Sequence, residues 1–380
     1  MPSASAGRGS GMGSIYEGAV RILDKEGHEL SAASAHHFRP LISVVTPTHN
    51  RIELLTRTLR SLAGQEGVSA GEYEVIVVVD GDYDGTADAL RQMTFPFRLT
   101  VIPQVRSGVA VARNTGWRAA RGDLVLFLDD DIVPKPNLLQ EHLKAHLVQT
   151  RAVVIGRFSP DTSTRRNAWT RYDELTQEKK YKAMGRTEAP SGIRLYTGNV
   201  SMPKEALGAA GGFDHTLPRN EDVDLGLRLQ DLGYGFVYAP AADGLHCGYH
   251  DFDGWRRMPP MYGRLDVAMY RDRDSIGGLE TIVACYHDRH LLNRVAIRLA
   301  ILRPSLARGL QGALAWTGLT SYSWRMERVS YLSLSALWNI LYWTGVRDGF
   351  RGNRPFVQML RKTRRHRRRP YRRLSPSSER

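Results

Sequence analysis

Residues 123–131 read DLVLFLDDD, an apolar run that ends in three consecutive aspartates. The segment LVLFL is apolar at every position, as expected for a strand that helices cover on both faces. A second run, YEVIVVVD at residues 73–80, has a similar apolar centre and also ends in an aspartate. These two stretches predict interior strands of a sheet whose carboxyl ends carry acidic side chains.

Strand and helix patterns alternate on both sides of these runs. Helix-like spacing of apolar residues separates the first five strands, at residues 51–65, 84–92, 108–121 and 136–149. The other strand candidates are residues 41–46, 97–103, 152–155 and 235–238. Repetition of strand then helix predicts an α/β fold with a mostly parallel sheet flanked by helices. Ligands of such sheets bind beyond the carboxyl ends of the strands.

The second half of the chain is less regular, and from about Trp255 onward the pattern is mainly helical. We predict a partly disordered leader at residues 1–40, an α/β domain at 41–257 and a helical C-terminal region at 258–352. A basic, disordered tail at residues 353–380 follows.

The composition is typical of a globular protein from a reducing compartment. The chain has 380 residues, 42% of them hydrophobic, which is enough for a sizeable core. Its two cysteines, Cys247 and Cys285, form neither a disulfide framework nor a four-ligand zinc site. Residues 1–13 lack the apolar core of a signal peptide, so we expect a cytoplasmic protein.

The net charge of +14 is concentrated in the tail, where residues 361–373 carry nine Lys or Arg and no acid. Such a run is most often a solvated, disordered segment. Anionic lipid headgroups are the next partner to consider. Nucleic acid is an unlikely partner, because Tyr371 is the single aromatic residue in the run and no nucleic-acid fold signature accompanies it.

The triple aspartate at residues 129–131 is the most specific local feature. Carboxylates this close repel one another and raise each other's pKa unless a cation lies among them, and a hard divalent ion suits oxygen ligands. The alternative is an acidic turn that caps the helix starting near Pro136. Asp80 favours the cation, because acidic ends of neighbouring strands converge on one crevice.

A second acidic cluster, NEDVDL at residues 220–225, precedes a helical pattern. Capping of the helix explains one acid in its first turn. Three acids in four positions exceed that need, and a carboxylate beside a reaction centre can act as a general base.

The span from about residue 41 to 257 resembles the family 2 glycosyltransferases, inverting enzymes with the GT-A fold. The matching segments occur in the family's order: SVVTPTHNR, VVVDGDYDGT, SGVAVARNTGWRAARGDLVLFLDDDIVP, TGNVSMPKEAL, GGFD and EDVDLGLRLQDLGY. The resemblance implies a nucleotide-binding half at residues 41–131 and an acceptor and catalytic half at 132–257. It also implies a nucleotide-sugar donor, with UDP-sugars favoured over GDP- and dTDP-sugars, and Mn²⁺ or Mg²⁺ as cofactor.

The resemblance assigns roles to individual residues. Asp222 matches the catalytic base, with Glu221 beside it, and Asp129, Asp131 and His246 match the metal ligands, although His250 competes with His246. The donor would contact eight residues, with Thr48 and His49 lining the base, Asp80 at the base edge and Asp130 facing the ribose: Pro47, Thr48, His49, Arg51, Asp80, Arg113, Asp130 and Asn199. His49 stands where the family often has Tyr, and DGDYD at residues 80–84 departs from the usual Asp-Asp-Gly-Ser.

The acceptor is not identified by these motifs, although Trp255, Arg256 and Tyr262 are candidates for contacting it. Two rival functions remain: a sugar-nucleotide nucleotidyltransferase, and a catalytically inactive scaffold on a membrane surface. A nucleotide-dependent oxidoreductase is excluded, because residues 46–51 read TPTHNR where its glycine fingerprint belongs.

Residues 330–346, SYLSLSALWNILYWTGV, form a charge-free run between two arginines. The run is at the short limit for spanning a bilayer, and Trp338, Tyr342 and Trp343 suit the headgroup level. We predict a helix that attaches the protein, together with the basic tail, to the anionic inner face of the cell membrane. The alternative is a helix packed on the rest of the protein.

Overall fold

The computed structural model describes residues 20–22, 41–163, 166–186, 190–217, 219–271, 278–287, 289, 291–352 and 355–358. These residues form two compact units. The sheet unit comprises the described residues of 1–161 and 184–248, and the helical unit comprises those of 162–183 and 249–380. This division differs from the predicted one, since residues 162–183 cluster with the C-terminal helices.

A nine-stranded sheet, in the order β1-β4-β3-β2-β5-β8-β7-β9-β6, forms the sheet unit. The pairs among β1 to β5 are parallel, and β8 and β6 are antiparallel to their neighbours. The strands are β1 (Val20–Ile22), β2 (Ile42–Thr48), β3 (Tyr73–Asp80), β4 (Arg98–Gln104), β5 (Leu124–Leu128), β6 (Ile132–Pro134), β7 (Ala152–Pro160), β8 (Asn199–Pro203) and β9 (Gly235–His246). The predicted mostly parallel sheet flanked by helices is confirmed.

Helices cover both faces of this sheet. Separate apolar cores lie on its two sides, one around Val44, Val77 and Leu126 and the other around Val45, Val78 and Phe127. Both neighbours in each strand are therefore buried, which explains the continuous apolar runs. The helices of this unit are α1 (Ile52–Leu62), α2 (Thr86–Arg91), α3 (Val109–Ala119), α4 (Leu138–Val148), α6 (Lys204–Ala210) and α7 (Glu221–Asp231), with a 3₁₀ turn at Gly192–Arg194.

Three strands escaped the sequence pattern. β1 lies within the predicted leader, and β6 has only three residues. β8 was hidden because its sequence, NVSMP, alternates polar and apolar residues although all five are buried. The strand predicted at residues 235–238 continues to His246 as β9.

The helical unit consists of α8 to α12 and residues of α5 up to 183. Its bounds are α5 (Ala168–Arg186), α8 (Phe252–Arg271), α9 (Gly278–His287), α10 (Leu291–Leu302), α11 (Pro304–Ser323) and α12 (Glu327–Gly349). Helices α8 and α12 cross closely: a Cβ on Gly345 would lie 2.0 Å from the carbonyl oxygen of Pro260, and one on Gly263 would lie 2.1 Å from that of Tyr342. Glycine at both positions lets the two backbones touch.

Helix α12 contains the predicted run at residues 330–346 and packs inside the helical unit. Trp343 is fully buried against Tyr286 and Phe356, and Tyr342 donates a hydrogen bond to Asp266. The predicted placement of Trp343 at headgroup level is therefore wrong, because protein atoms surround its ring. Among the described helices, none is long and apolar enough to cross a membrane. The basic tail lies outside the described residues.

Trp255 is also interior. Its ring packs against Tyr172 and Trp338, and its indole N–H donates a 3.0 Å hydrogen bond to Asp173. With 1% of its surface exposed, Trp255 cannot contact an acceptor in this conformation, and the sequence-based suggestion that it does is wrong.

Candidate functional site

The parallel strands β2, β3 and β5 bring their polar carboxyl ends to one edge of the sheet. Thr48 ends β2, Asp80 ends β3, and the triple aspartate follows β5. The Thr48 hydroxyl donates a 2.7 Å hydrogen bond to Asp130 across this edge. The convergence predicted from the sequence is thus present in the sheet unit.

Asp130 is held from two sides. Besides Thr48, the Arg51 guanidinium donates to it at 3.2 Å. Burial, followed by the negative charge of Asp131, raises the pKa of the Asp130 carboxyl to about 6, despite the opposing effects of Arg51 and Thr48. The ionised form of Asp130 is thus disfavoured by its surroundings, and a further positive charge nearby would stabilise it.

Asp131 and His246 lie together because β6 pairs with β9, which aligns Ile132 with His246. The imidazole Nε2 of His246 is 3.8 Å from a carboxylate oxygen of Asp131, and Arg51 contacts the same oxygen at 3.1 Å. Burial and the charge of Asp129 raise the pKa of Asp131. A Cβ on Gly248 would meet this carboxylate at 2.0 Å, so glycine is needed for the approach.

These side chains fit a divalent cation in their chemistry. Carboxylate oxygens and a neutral imidazole suit Mn²⁺ or Mg²⁺, and burial lowers the pKa of His246, which favours the neutral form. The described part of the chain holds no group of three or more His, Cys, Asp or Glu side chains already arranged around a metal position. The reason is that arginines balance the carboxylates instead: Arg51 contacts Asp130 and Asp131, and Arg113 contacts Asp129.

Arg113 connects the strand-end carboxylates to helix α7. One guanidinium nitrogen donates to Asp129 at 2.9 Å, and another donates to Glu221 at 2.8 Å. Arg113 and Glu221 are both buried. Burial opposes the charge of Arg113, yet the two carboxylates outweigh it and hold its pKa above the ordinary value. The sequence predicted that Arg113 contacts the donor. In the structure its guanidinium contacts Asp129 and Glu221, so it holds these two carboxylates in position.

Asp222 lies in the first turn of α7, directly after the Arg113 partner Glu221. It is half-buried and accepts a 2.8 Å hydrogen bond from the backbone N–H of Val223. Burial, and then the charge of Glu221, raise the pKa of Asp222 to about 6. Asp224 is occupied elsewhere, in an ion pair with Arg228 at 2.6 Å. The three acids of this cluster therefore differ in their contacts. Asp224 pairs with Arg228 of the same helix and Glu221 pairs with Arg113, whereas Asp222 accepts a backbone hydrogen bond.

A loop platform lies beside Asp80. His49 donates from Nδ1 to the Asp80 carbonyl oxygen at 2.7 Å, and its ring meets the exposed Tyr83 ring edge-on at 6.1 Å between centroids. Gly81 has φ +83°, and a Cβ there would crowd both Tyr83 and His49. Sequence reasoning did not single out Tyr83; its signal was an aromatic side chain in a turn of glycine and aspartate straight after a strand.

Asp80 itself is turned toward the chain. Its carboxylate accepts hydrogen bonds from the Gln104 side chain at 2.8 Å and from the backbone N–H groups of Ser107 and Gly108 at 2.7 and 2.9 Å. Asp80 therefore fixes the loop that leads into α3. This is a different use from the base contact that the resemblance implies.

Asn199 lies behind the site and not at its surface. Its amide nitrogen donates to the carbonyl oxygens of Arg157 and Ala242, and its oxygen accepts from His142 at 2.8 Å. The side chain is fully buried. We therefore assign Asn199 to the framework that holds β7, β8 and β9 together, which corrects its predicted contact with the donor. Pro47 is also buried, within β2.

Comparison with known proteins agrees with this geometry. Residues 43–208 match the sequence profile of Glycosyl transferase family 2. The validoxylamine A glucosyltransferase of Streptomyces hygroscopicus subsp. jinggangensis is 33% identical, over 51% of this chain and 52% of that protein. The pre-mycofactocin glycosyltransferase of Mycobacterium tuberculosis is 26% identical, over 66% of this chain and 54% of that protein. The chain thus spans about half the length of these curated relatives.

The fold is shared with a solved mannosyltransferase from Pyrobaculum calidifontis, determined in complex with GDP-Man and Mn²⁺. The two chains are 21% identical, the TM-score is 0.51, and the alignment covers 82% of this chain and 88% of the other. The mostly parallel sheet flanked by helices has the same fold as this mannosyltransferase, of the GT-A type. Residues 43–208 of the chain match glycosyltransferase family 2.

Proposed function

We propose that the protein transfers a sugar from a nucleotide-sugar donor to an acceptor hydroxyl, with inversion at the anomeric carbon and Asp222 as general base. The observation that carries the proposal is the pairing of two acidic groups through one buried arginine. The strand-end carboxylates and the start of α7 are joined by Arg113, which contacts Asp129 and Glu221. This contact supports the proposal, because it would hold a diphosphate site at the strand ends next to a general base at the start of α7.

Asp129, Asp131 and His246 would hold Mn²⁺ or Mg²⁺. When bound, the ion supplies positive charge that offsets the negative charge developing on the diphosphate leaving group. Arg51 and Arg113 occupy the same carboxylates in its place. Release of these guanidinium groups would leave them free to contact the anionic donor.

The base of the nucleotide would rest on the platform of His49 and Tyr83. The exposed Tyr83 ring would offer one face for stacking beside the ends of β2 and β3, and the perpendicular His49 ring contacts it edge-on. We favour a UDP-sugar, because that is the commonest donor of the family that the motifs resemble. Thr48 and Asp130 lie next along the strand ends and would face the ribose.

Asp222 would remove the proton from the acceptor hydroxyl as its oxygen bonds to the anomeric carbon. The bond from that carbon to the diphosphate oxygen breaks, and its electron pair leaves with the nucleoside diphosphate. A pKa of about 6 leaves Asp222 ionised at neutral pH and more basic than an ordinary aspartate. Glu221 would position this residue through its ion pair with Arg113.

The test is a panel of UDP-, GDP- and dTDP-sugars, with GDP-Man included because the mannosyltransferase of the same fold was solved with it. We expect one donor to raise the melting temperature with Mn²⁺ and to release its nucleoside diphosphate slowly. A donor present at ~100 times its dissociation constant adds roughly 2.7 kcal/mol to stability. If no nucleotide sugar binds or is hydrolysed with either metal, the proposed function fails.

The rival functions give different products. A nucleotidyltransferase would join a sugar phosphate to a nucleoside triphosphate and release pyrophosphate. An inactive scaffold would release nothing from any donor. Two relatives are named for glycosyl transfer to validoxylamine A and to pre-mycofactocin, so acceptor screening should begin with these two compounds.

We also propose that the reaction takes place in the cytoplasm, on the inner face of the cell membrane. Cys247 is buried and Cys285 is exposed, and the two are not joined by a disulfide in the described structure, which fits a reducing compartment. Fractionation of cells that express the full chain, before and after a high-salt wash, would test the location.

A further inference from the structure

Helices α10 and α11 bear an apolar stripe on their exposed side. On α10 the large apolar residues with exposed side chains are Leu291, Val295, Leu299 and Leu302, each between 45 and 61% exposed. Their spacing of four, four and three places them on one helix face. We call this stripe and its continuation on α11 the α10–α11 face.

The stripe continues on α11 after the one-residue connection at Arg303. Leu306 is 53% exposed and Trp316 is 66% exposed, and between them the same face carries the exposed residues Gly309 and Ala313. The opposite side of the pair is already packed, because Ala300 and Ala307 are buried against Ile340 of α12. These two helices therefore have apolar residues on both sides, and among the described residues only the inner side is covered.

The charges carried by α10, α11 and their connection have one sign. Residues 289–326 contain six arginines and no Asp, Glu or Lys. Arg298, Arg303 and Arg308 are exposed and lie beside the apolar stripe. At the neighbouring start of α12 the exposed acid Glu327 is paired with Arg171 at 3.4 Å, and Arg328 and Leu332 are exposed beside it.

Such a surface matches an anionic bilayer. Large exposed apolar patches mark interaction sites, and helices with leucine and tryptophan on one side and arginine along its border lie in the headgroup region. Arginine beside the patch is attracted to anionic lipid, and α10 and α11 carry no acid that would oppose this attraction. A protein partner would need an acidic surface around an apolar centre to match the same residues.

We propose that the α10–α11 face docks the protein on a bilayer that contains anionic phospholipid. The predicted attachment element is thereby moved from α12, whose Trp343 is buried, to the two helices packed on it. The proposal rests on the proposed function only in its purpose, which is to bring the transferase to a lipid-borne acceptor.

Sedimentation with vesicles tests the proposal on the full chain. Vesicles of phosphatidylcholine with 30% phosphatidylglycerol (roughly the charge density of an anionic leaflet) are compared with pure phosphatidylcholine. The double variant Leu299→Gln/Leu302→Gln should bind at least about tenfold more weakly than the parent. The matched control is Leu147→Gln/Val148→Gln, which changes two residues of the sheet unit that are 83 and 90% exposed and should bind unchanged.

The arginines are tested separately with Arg298→Gln/Arg303→Gln/Arg308→Gln, which should lose the preference for anionic vesicles and the sensitivity to salt. Brominated lipid should quench tryptophan fluorescence in the parent and quench it less in Trp316→Phe. A chain ending at Gln358 keeps Phe356 and removes the basic tail, and it should retain binding that the leucine variant lacks.

Three outcomes would overturn the proposal. The parent does not bind vesicles, binding is lost with the tail and not with the leucines, or the leucine variant dissociates a dimer or a protein complex while vesicle binding is unchanged. Donor hydrolysis in the absence of vesicles is measured alongside. The leucine variant should hydrolyse the donor normally, and hydrolysis that is absent with vesicle binding intact would count against the proposed function alone.

Discussion

At the scale of single residues, the candidate site is a set of carboxylates that form ion pairs with two arginines. Arg51 spans Asp130 and Asp131, and Arg113 spans Asp129 and Glu221. Each guanidinium is therefore shared by two carboxylates. The Arg113–Glu221 pair is buried on both sides, and removing one partner from a buried pair is costly because the remaining charge stays uncompensated. The most informative substitutions are those that change a carboxylate without leaving a buried arginine alone.

Asp131→Asn should abolish Mn²⁺-dependent donor hydrolysis and leave the fold intact. The amide removes a charged ligand, while the burial and repulsion that raise the pKa of Asp131 mean that little folding stability depends on its charge. We expect an unchanged or higher melting temperature without metal and no further rise with Mn²⁺ and donor. The control is Asp123→Asn, at the opposite end of β5. Near-normal hydrolysis by the Asp131 variant in the presence of a chelator would refute the metal site.

Asp222→Asn should lower turnover by roughly 10²–10⁴ and leave donor affinity unchanged, because a general base acts on the acceptor proton and not on donor binding. In the parent, turnover should rise with pH through about 6, as Asp222 with its raised pKa loses its proton. The control is Asp231→Asn, an exposed acid at the last position of the same helix. A variant that loses donor affinity but keeps its saturated turnover would make Asp222 a binding residue.

At the scale of elements, buried polar chains link the helices and strands under the site. His146 donates to the hydroxyl of Ser201 at 2.8 Å, Ser201 donates to Nδ1 of His142, and His142 donates to Asn199. This order satisfies both nitrogens of His142 in its neutral form. Helix α4 is thereby fixed to β8.

This chain predicts a loss of stability in mild acid. Burial lowers the pKa of His142 from 6.5 to about 4 and, with some effect of His142, lowers that of His146 similarly. Between pH 6.5 and pH 4 these two histidines bind protons in the unfolded chain but stay neutral in the folded chain. Stability is therefore complete above about pH 6.5 and falls as the pH drops toward 4, by on the order of 3 kcal/mol for one histidine.

Urea unfolding at several pH values measures this slope. His142→Gln should be less stable at pH 7 and should lose about half of the acid dependence, since His146 remains. His215→Gln, at an exposed position, should keep the parental slope. An unchanged slope in the His142 variant would show that this network does not govern acid stability.

The crossing of α8 and α12 predicts opposite effects for two glycine substitutions. Gly345→Ala places a methyl group 2.0 Å from the Pro260 carbonyl oxygen and should destabilise the helical unit by roughly 1–3 kcal/mol. Gly312→Ala meets nothing within 4 Å in the middle of α11 and should stabilise by about 0.5–1 kcal/mol. Thermal unfolding followed by circular dichroism compares them, and equal effects would contradict the close crossing.

The sequence predicted those elements that have a periodic pattern of their own. The interior strands and the helices α1 to α4 follow from apolar spacing, and the strand-end carboxylates follow from the parallel arrangement. Strand β8 did not, because Asn199 and Ser201 are buried polar residues whose partners, His142 and His146, lie far away in the chain. The role of Arg113 was hidden for the same reason, since Glu221 is 108 positions distant. Long-range polar pairing leaves no local pattern.

At the scale of the whole molecule, positive charge is gathered toward the C-terminal part of the chain. The net charge is +14, and residues 289–326 contribute six arginines without an acid. Residues 361–373 contribute nine further basic residues, outside the described part of the chain. The acids of the candidate site lie in the sheet unit. Chemistry and surface attraction therefore reside in different parts of the sequence, which makes them separable by substitution.

The sheet ends on both sides in a strand of only three residues, β1 and β6. Short edge strands offer few unpaired backbone groups to another chain, which is one way in which sheets avoid joining edge to edge. Expression variants that begin at residue 41 would remove β1 and uncover β4, a strand of seven residues. Such variants should aggregate or exchange strands more readily than the full chain. By pairing with β4, strand β1 would therefore limit self-association through this edge of the sheet.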